Sequence, residues 1–296
     1  SSNRRFWEQV IKVVLFLAAI LSIVTTSLIV LALLRETITF FQEVPFTEYI
    51  GGTDWSPLFK PASFGVLPLI VGTLLITAIA LIVAIPLGLG SAIYLSEYAG
   101  PRVRKVLKPA LELLAGVPTI VFGFFALTFF TPEILQALFG SEIKVYNALA
   151  GGIIVGFMVI PTVASVAEDA MSSVPQSLRE GSSGLGASKF QTSVRVVFPA
   201  ALSGIVAGVV LGASRAVGET MIVLVAAGQV AAMTLDPGAP HYTMTSFIAA
   251  TGKGDIATGS TAYKTIFAVG TTLFVITLLL NMITIRFVRK YRQVYE

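Results

Sequence analysis

Six runs free of charged side chains, residues 13–34, 64–96, 113–132, 145–167, 196–214 and 265–285, dominate this chain and decide what it can fold into. Each holds at least 19 residues, enough at about 1.5 Å per residue to carry a helix across a hydrocarbon layer of about 30 Å. The 20 basic and 16 acidic residues gather in short blocks between the runs. A soluble domain spreads about 25% charged residues over its surface, whereas this chain has 12% and a mean hydropathy of +0.86. Hydrocarbon offers no partners to backbone N–H and C=O groups, so such runs must be helical. The expectation is an all-α polytopic membrane protein, one transmembrane domain over residues 1–296.

The first run has 22 residues and no A-x-A site after it, and reads as a retained span rather than a cleaved leader. The second has 33 residues and must tilt, emerge or bend, with Pro68, Pro86, Gly88 and Gly90 as the places to do so. Beyond Arg215 and Glu219 the chain is apolar again for only 16 residues, 220–235. That segment reads as re-entrant or as lying at the outer surface; one unbroken tilted helix from Val196 onward is the alternative.

Six spans put both termini on one side. If that side is cytoplasmic, it holds Arg4, Arg5, Lys12, Arg102, Arg104, Lys105, Lys108, Arg179, Lys189, Arg195, Arg286, Arg289, Lys290 and Arg292. The other side holds only Arg35, Lys60, Lys144, Lys253 and Lys264, an asymmetry that sets the orientation by the positive-inside rule. Residues 35–63, with Glu36, Glu43, Glu48 and Asp54 around Trp55, are then an external loop or cap.

Several functions are excluded. There is no cysteine, hence no disulfide, thiolate site or cysteine nucleophile, and a single histidine, His241, rules out an imidazole cluster. His241 reads as an exposed loop residue. The basic residues flank membrane runs and need no nucleic acid to explain them. Glu168 and Asp169, placed at the start of a cytoplasmic connection, have neither the spacing of a catalytic pair nor partners for a metal. Lys253 and Asp255 are loop charges within reach of an external partner.

Arg215 and Glu219 stand four residues apart in GASRAVGETMIVL, on one face of a helix if the helix continues through both. Gly212 and Gly218 would admit a neighbouring helix closely. Charges at that depth must face protein or water. Two readings stand side by side: a mutually neutralising pair that locks helices, or a guanidinium that meets an oxyanion in transit while Glu219 holds it in place. Thr119, Thr162 and Ser165, beside Pro118 and Pro161, are candidate hydroxyl donors along such a path, or simply satisfy nearby carbonyls.

The connection over residues 174–195 is expected to fold as a cytoplasmic helical hairpin. Its run GSSGLGAS has the glycine spacing of a phosphate-cradling loop, but Ala187 stands where the lysine of G-x-x-x-x-G-K-[ST] belongs, so this chain should not hydrolyse ATP. The spacing resembles instead the coupling signature of ABC importer permeases, E-A-A, three residues, G, nine residues, I-x-L-P. Glu180 takes the first position, Gly181 and Ser182 the two alanines, Gly186 the glycine, Val196 the isoleucine, and Phe198 and Pro199 the last two. In that reading Arg179, Glu180 and Lys189 orient a docked ATPase from the rim of the hairpin.

With FGVLPLIVGTLLIT at 64–77 and SRAVGETMIV at 214–223, the whole chain resembles the PstC-type permeases of bacterial phosphate ABC importers. The resemblance implies a type I ABC importer permease fold with six transmembrane helices, a re-entrant or interfacial segment and a cytoplasmic coupling helix, in the inner membrane. It implies as partners a PstA-like second permease, two PstB-like ATPase subunits, a PstS-like phosphate-binding protein and membrane lipid. ATP and Mg would sit on the ATPase and no cofactor on this chain. A permease for molybdate or sulfate, a secondary anion carrier and a purely structural scaffold are the competing classes; no internal repeat of the secondary-carrier kind is visible.

Overall fold

The computed structural model describes the backbone of residues 2–254 and 256–291 and the side chains of 5–254 and 256–286. Asp255 and Arg292, and the side chains of Arg4, Arg289 and Lys290, lie outside the described residues.

Helix α1 (Ser2–Glu43) takes in the first apolar run and continues through residues 35–43, which the charge pattern assigned to the outer loop. The acidic residues there are too sparse to stop a helix that α14 supports. Helix α2 (Phe46–Gly51) and an isolated bridge between Trp55 and Phe64 make the connection to α3 (Leu67–Ile93). Helix α3 absorbs Pro86 without breaking and extends as a π-helical turn, Tyr94–Tyr98. Helix α4 (Pro101–Ala115) follows, then α5 (Thr119–Phe125), which continues through a π-helical stretch, Ala126–Leu135, into α6 (Gln136–Phe139). The third span therefore starts at Thr119 rather than Leu113: Gly116 ends α4, and Pro118 disfavours helical backbone at the residue before it.

Asn147 starts α7 (Ala148–Ser172) by accepting the Ala150 N–H on its side chain at 2.6 Å. The hairpin comprises α8 (Gln176–Gly184) and α9 (Lys189–Thr192), the latter opened by a reciprocal Ser188–Gln191 cap. A π-helical turn leads to α10 (Phe198–Ala200) and α11 (Leu202–Val217). The chain then forms α12 (Met221–Ala226), an irregular segment, α13 (Met244–Gly252) and α14 (Thr261–Tyr291).

Among the described residues five helices are long and apolar enough to cross a membrane. A sixth span forms if Lys189–Ala200 and Leu202–Val217, bent by 74°, count as one. The unbroken helix from Val196 is not what forms. The chain bends at Ala201 and stops at Val217, and residues 220–235 contain only the six residues of α12 in helical form.

The core is built on α7. Helix α3 packs parallel to it, with Gly88 against Val163 and Gly156 against the Ala80 carbonyl; a Cβ at these glycines would come within 2.9 and 2.8 Å of those atoms. Helix α11 runs antiparallel to α7, with Gly204, Gly208 and Gly212 facing Ala170, Val166 and Val163 in turn. Small residues at four-residue spacing let backbones approach closely where apolar burial alone cannot drive association. Gly218, expected at this interface, is exposed and instead caps α11 by donating to the Ser214 carbonyl at 3.1 Å. Helices α1 and α14 form an antiparallel pair at the edge, joined by the Thr37 hydroxyl at 2.7 Å from the Thr271 hydroxyl and at 3.0 Å from the Phe267 carbonyl. None of the most apolar window of α1 is buried in this chain, as expected of a helix facing lipid or another subunit. Trp55 is not on the surface: it is 6% exposed, with its ring 5.0 Å from that of Phe247.

Candidate translocation and coupling sites

The glycine ladder of α11 lays Arg215 against the middle of α7, where its Nη1 donates to the Thr162 hydroxyl at 3.0 Å. That is the one hydrogen bond its side chain makes among the described residues, and no carboxylate there pairs with it. A guanidinium carries five N–H donors, and the described residues of this chain engage one of them at Arg215. Its exposure is intermediate.

Glu219 is not the partner expected from the four-residue spacing. Helix α11 has ended at Val217, so the two residues do not share a helical face. Glu219 is 8% exposed, and its Oε1 accepts the N–H groups of Met221 at 2.9 Å and Ile222 at 3.1 Å. It thereby satisfies the free donors at the start of α12, and its own carbonyl accepts the Thr245 hydroxyl at 2.6 Å. The carboxylate organises the turn after α11 and does not hold Arg215.

The candidate hydroxyls divide. Thr162 meets Arg215. Ser165 lies one turn further along α7, half-buried and without a hydrogen-bond partner among the described residues. Thr119 opens α5 after Pro118 and is likewise unpartnered. It makes no contact with Arg215 that a hydrogen bond would mark, but α5 packs on α12, with Gly123 facing the Met221 carbonyl and the Ile222 backbone.

At the basic end of the molecule the hairpin turns at Gly186, whose φ of +83° is left-handed and favours glycine over any residue with a Cβ. Glu180, Gly181, Gly186, Lys189 and Pro199 are exposed, while Ser182 is half-buried, with its hydroxyl 2.9 Å from that of Thr192 to close the hairpin. The tip carries Leu185, 92% exposed, and beyond it Phe190, 67% exposed. Neither residue belongs to the sequence signature, although two large apolar side chains in an otherwise polar connection are a readable sign of a contact surface.

Arg179 does not stand at the rim. Its side chain is 18% exposed and points into the protein. Nη2 donates to Glu97 Oε1 at 2.9 Å and to the Met171 carbonyl at 2.8 Å, and Nη1 donates to the Val174 carbonyl at 2.5 Å. Lys189 lies 5.2 Å from the centre of the Tyr98 ring, a cation–π distance. These groups border a polar cavity of about 550 Å³ between the hairpin and the ends of α3, α4 and α7.

Glu168, expected in a connecting loop, lies within α7 and is fully buried. Arg104 binds its Oε1, Lys108 binds its Oε2 at 2.7 Å, and Ser172 donates to it at 2.9 Å. Lys108 also reaches Asp169 at 3.0 Å. These hydrogen bonds, to Glu168 first and then Asp169, hold the Lys108 ammonium above its ordinary lysine pKa. The cluster fastens α4 to α7. His241, expected to be exposed, is fully buried, with Nδ1 3.1 Å from the Ala239 carbonyl and Nε2 2.9 Å from the Thr234 carbonyl. It ties the irregular segment together across the outer end of α7. Among the described residues no three His, Asp or Glu side chains come together as metal ligands.

Residues 84–293 match the family of binding-protein-dependent transport system inner membrane components. The probable ABC transporter permease protein YqgH of Bacillus subtilis is 37% identical over 247 residues, covering 83% of this chain and 79% of that protein. The phosphate transport system permease protein PstC 1 of Mycobacterium tuberculosis is 38% identical over 251 residues, 77% of this chain and 73% of its own. Among solved structures, a bacterial ABC transporter that imports alginate superposes with a TM-score of 0.66 at 15% identity, over 98% of this chain and 100% of that one. The MetNI methionine ABC transporter in an inward-facing conformation gives 0.56 at 19% identity, over 77% and 95%. At those identities the likeness is one of fold.

Proposed function

We propose, for a chain that belongs to the binding-protein-dependent transport system inner membrane component family and forms a permease subunit of an ABC-type importer in the inner membrane, that its cargo is inorganic phosphate. The observation that carries this reading is Arg215: a guanidinium in the last turn of α11, held against the middle of α7, bonded to one hydroxyl and unmatched by any described carboxylate. Taking a cation into a membrane interior is expensive. A fold that only needed stability would pair it, as it pairs Arg104, Lys108 and Arg179. Left open, Arg215 can offer the planar, two-pronged donor geometry that fits a tetrahedral oxyanion. The naming of the PstC relatives as phosphate transport permeases points to which oxyanion.

The chain is a non-catalytic transport subunit, and its residues move no bonds. In the proposed cycle Arg215 meets phosphate as it passes between this permease and a PstA-like second one, with Thr162, Ser165 and Thr119 as further hydroxyl donors. The single guanidinium supplies attraction without the several charges that would trap a divalent anion. Glu219 keeps the turn after α11 in shape, so that Arg215 stays at the helix end. The basic face, with α4 and the hairpin over 174–195, is cytoplasmic by the positive-inside rule. There Glu180, Gly181, Ser182, Gly186, Lys189 and Pro199 would meet two PstB-like ATPase subunits, which hold ATP and Mg. A PstS-like binding protein would deliver phosphate at the outer face. Nucleotide binding shifts the permease pair between outward- and inward-open forms by its different affinity for each.

The test is phosphate uptake into proteoliposomes holding both permeases, the ATPase and the binding protein, with Arg215→Gln against the parent. Uptake is expected to fall by at least about a hundredfold, as for loss of a charge-assisted contact, while the complex assembles and binds nucleotide as before. Undiminished uptake, or uptake of sulfate or molybdate in preference to phosphate by the parent, would overturn the reading.

A further inference from the structure

The coupling hairpin is attached to the transmembrane helices by more than its two covalent ends, and most of the polar attachment runs through one side chain. Arg179 belongs to α8 of the hairpin, yet all its hydrogen bonds go elsewhere. It reaches Glu97 in the π-helical turn that ends the second span, Met171 in the last turn of α7, and Val174 just beyond it. Glu97 is 6% exposed in its side chain, and its second oxygen lies 3.4 Å from Arg179 Nε, so the pair is forked as well as charged. Ser96 donates to Glu97 at 3.1 Å and helps to set its orientation. Leu178, the residue before Arg179, packs against a buried cluster that includes Met171, Val174 and Val197. A second tie, Lys189 of α9 over the Tyr98 ring, lands on the same turn of the second span.

We infer that Arg179 is a positioning residue which makes the hairpin and the cytoplasmic ends of spans two and four move as one body, so that a displacement imposed on the hairpin reaches the translocation helices. This deepens the function proposed above and rests on the hairpin being the ATPase contact, though not on the identity of the cargo. Four donor contacts from one planar group fix both position and orientation, which an ammonium or an amide in its place cannot do. Of the two spans it joins to the hairpin, α7 carries Thr162, the partner of Arg215, and α3 packs along α7 through Gly88. Without the fork the hairpin keeps its chain connections, its apolar contacts and the single Lys189–Tyr98 contact, which fix its orientation less tightly, so that it can swing under load while the spans stay still.

The absence of cysteine makes a clean distance measurement practical. Spin labels at Tyr94→Cys, exposed near the end of the second span, and Ser177→Cys, exposed on α8, report the joint in the assembled complex with its ATPase. With Arg179 present the label-to-label distance is expected to be the same without nucleotide and in the vanadate-trapped state. In Arg179→Gln it should shift or broaden on trapping, and cargo imported per ATP hydrolysed should fall by at least about fivefold, the scale of an ordinary coupling free energy. Glu97→Gln keeps the two carbonyl contacts and serves as the milder variant if the first does not assemble; a smaller change in the same direction is expected. A distance that already changes with nucleotide in the parent, or variants that lose import and hydrolysis in equal proportion with the joint still rigid, would overturn the inference. Failure of the parent to import phosphate would count against the proposed cargo and leave the distance test intact.

Discussion

Arg215 and Arg179 are both guanidiniums lodged against α7, and they are treated in opposite ways. Arg179, at the basic end, meets one carboxylate and two carbonyls. Its neighbours there, Arg104 and Lys108, share the buried Glu168. Arg215, in the middle of the same helix, has one hydroxyl. The cations of the end cluster are matched by carboxylates, and matched charges hold helices in register. Arg215 has no such match within this chain, and a cation at depth is tolerable only where an anion, water or a group from another subunit comes to meet it. The contrast separates charges that build the permease from the one proposed to serve its cargo, and it also explains why a search for paired charges at depth finds the wrong group.

The end cluster can be broken asymmetrically. Replacing Arg104 and Lys108 together by Met would strand Glu168 as a buried carboxylate, at a cost of about 3–5 kcal/mol, read as a drop in the thermal unfolding midpoint of purified protein. Glu168→Gln leaves only cations that are partly exposed and able to turn outward, and should cost less, about 1–3 kcal/mol. Equal losses would mean that the cluster is not organised around the buried acid.

The mid-span site depends on helix approach rather than on charge. Gly212→Val would press a Cβ to within 2.8 Å of Val163, and overpacking of this kind costs about 1–3 kcal/mol. It should push α11 off α7, separate Arg215 from Thr162 and reduce uptake more than it reduces stability. Uptake that follows folded yield alone would show that the Arg215–Thr162 contact does not matter to passage.

The smallest expected effect is on pH. The folded state raises the pKa of Lys108 through Glu168 and Asp169. Its contribution is therefore complete below the ordinary lysine pKa, about 10.4, and is lost as pH climbs through the raised value. Stability of the α4–α7 contact, followed by proteolysis at the 116–118 connection, should weaken in that alkaline window in the parent, and the loss should disappear in Lys108→Met. An identical alkaline profile in the variant would remove Lys108 from the cause.

The spans were legible because charge exclusion acts residue by residue: a charge-free run of adequate length announces itself without knowledge of any neighbour. The hairpin was legible for a similar reason, since its signature of Glu180, Gly186 and Pro199 lies within one short stretch. The boundaries were harder. Residues 35–43 look like a loop by charge, yet continue α1 because α14 runs beside them, with Glu43 bound to Thr261 and Lys264. The supposed pair of Arg215 and Glu219 failed because Gly218 stops α11 between them and Glu219 finds the free N–H groups of α12 first.

What the sequence determined by itself is therefore the run of apolar spans, a short helical hairpin in a basic connection, and an uncommon cation just beyond the fifth run. All of these follow from transfer free energies and local spacing, which each residue carries with it. Only the tertiary structure decided which charges are spent and which are free. The carboxylate partners of Arg104 and Arg179 lie 64 and 82 residues away in the chain, and the burial of His241 and Glu168 depends on helices that meet them from elsewhere. Pairing is a property of distance in space, and in a bundle of long helices that distance is set by where glycines let the backbones touch.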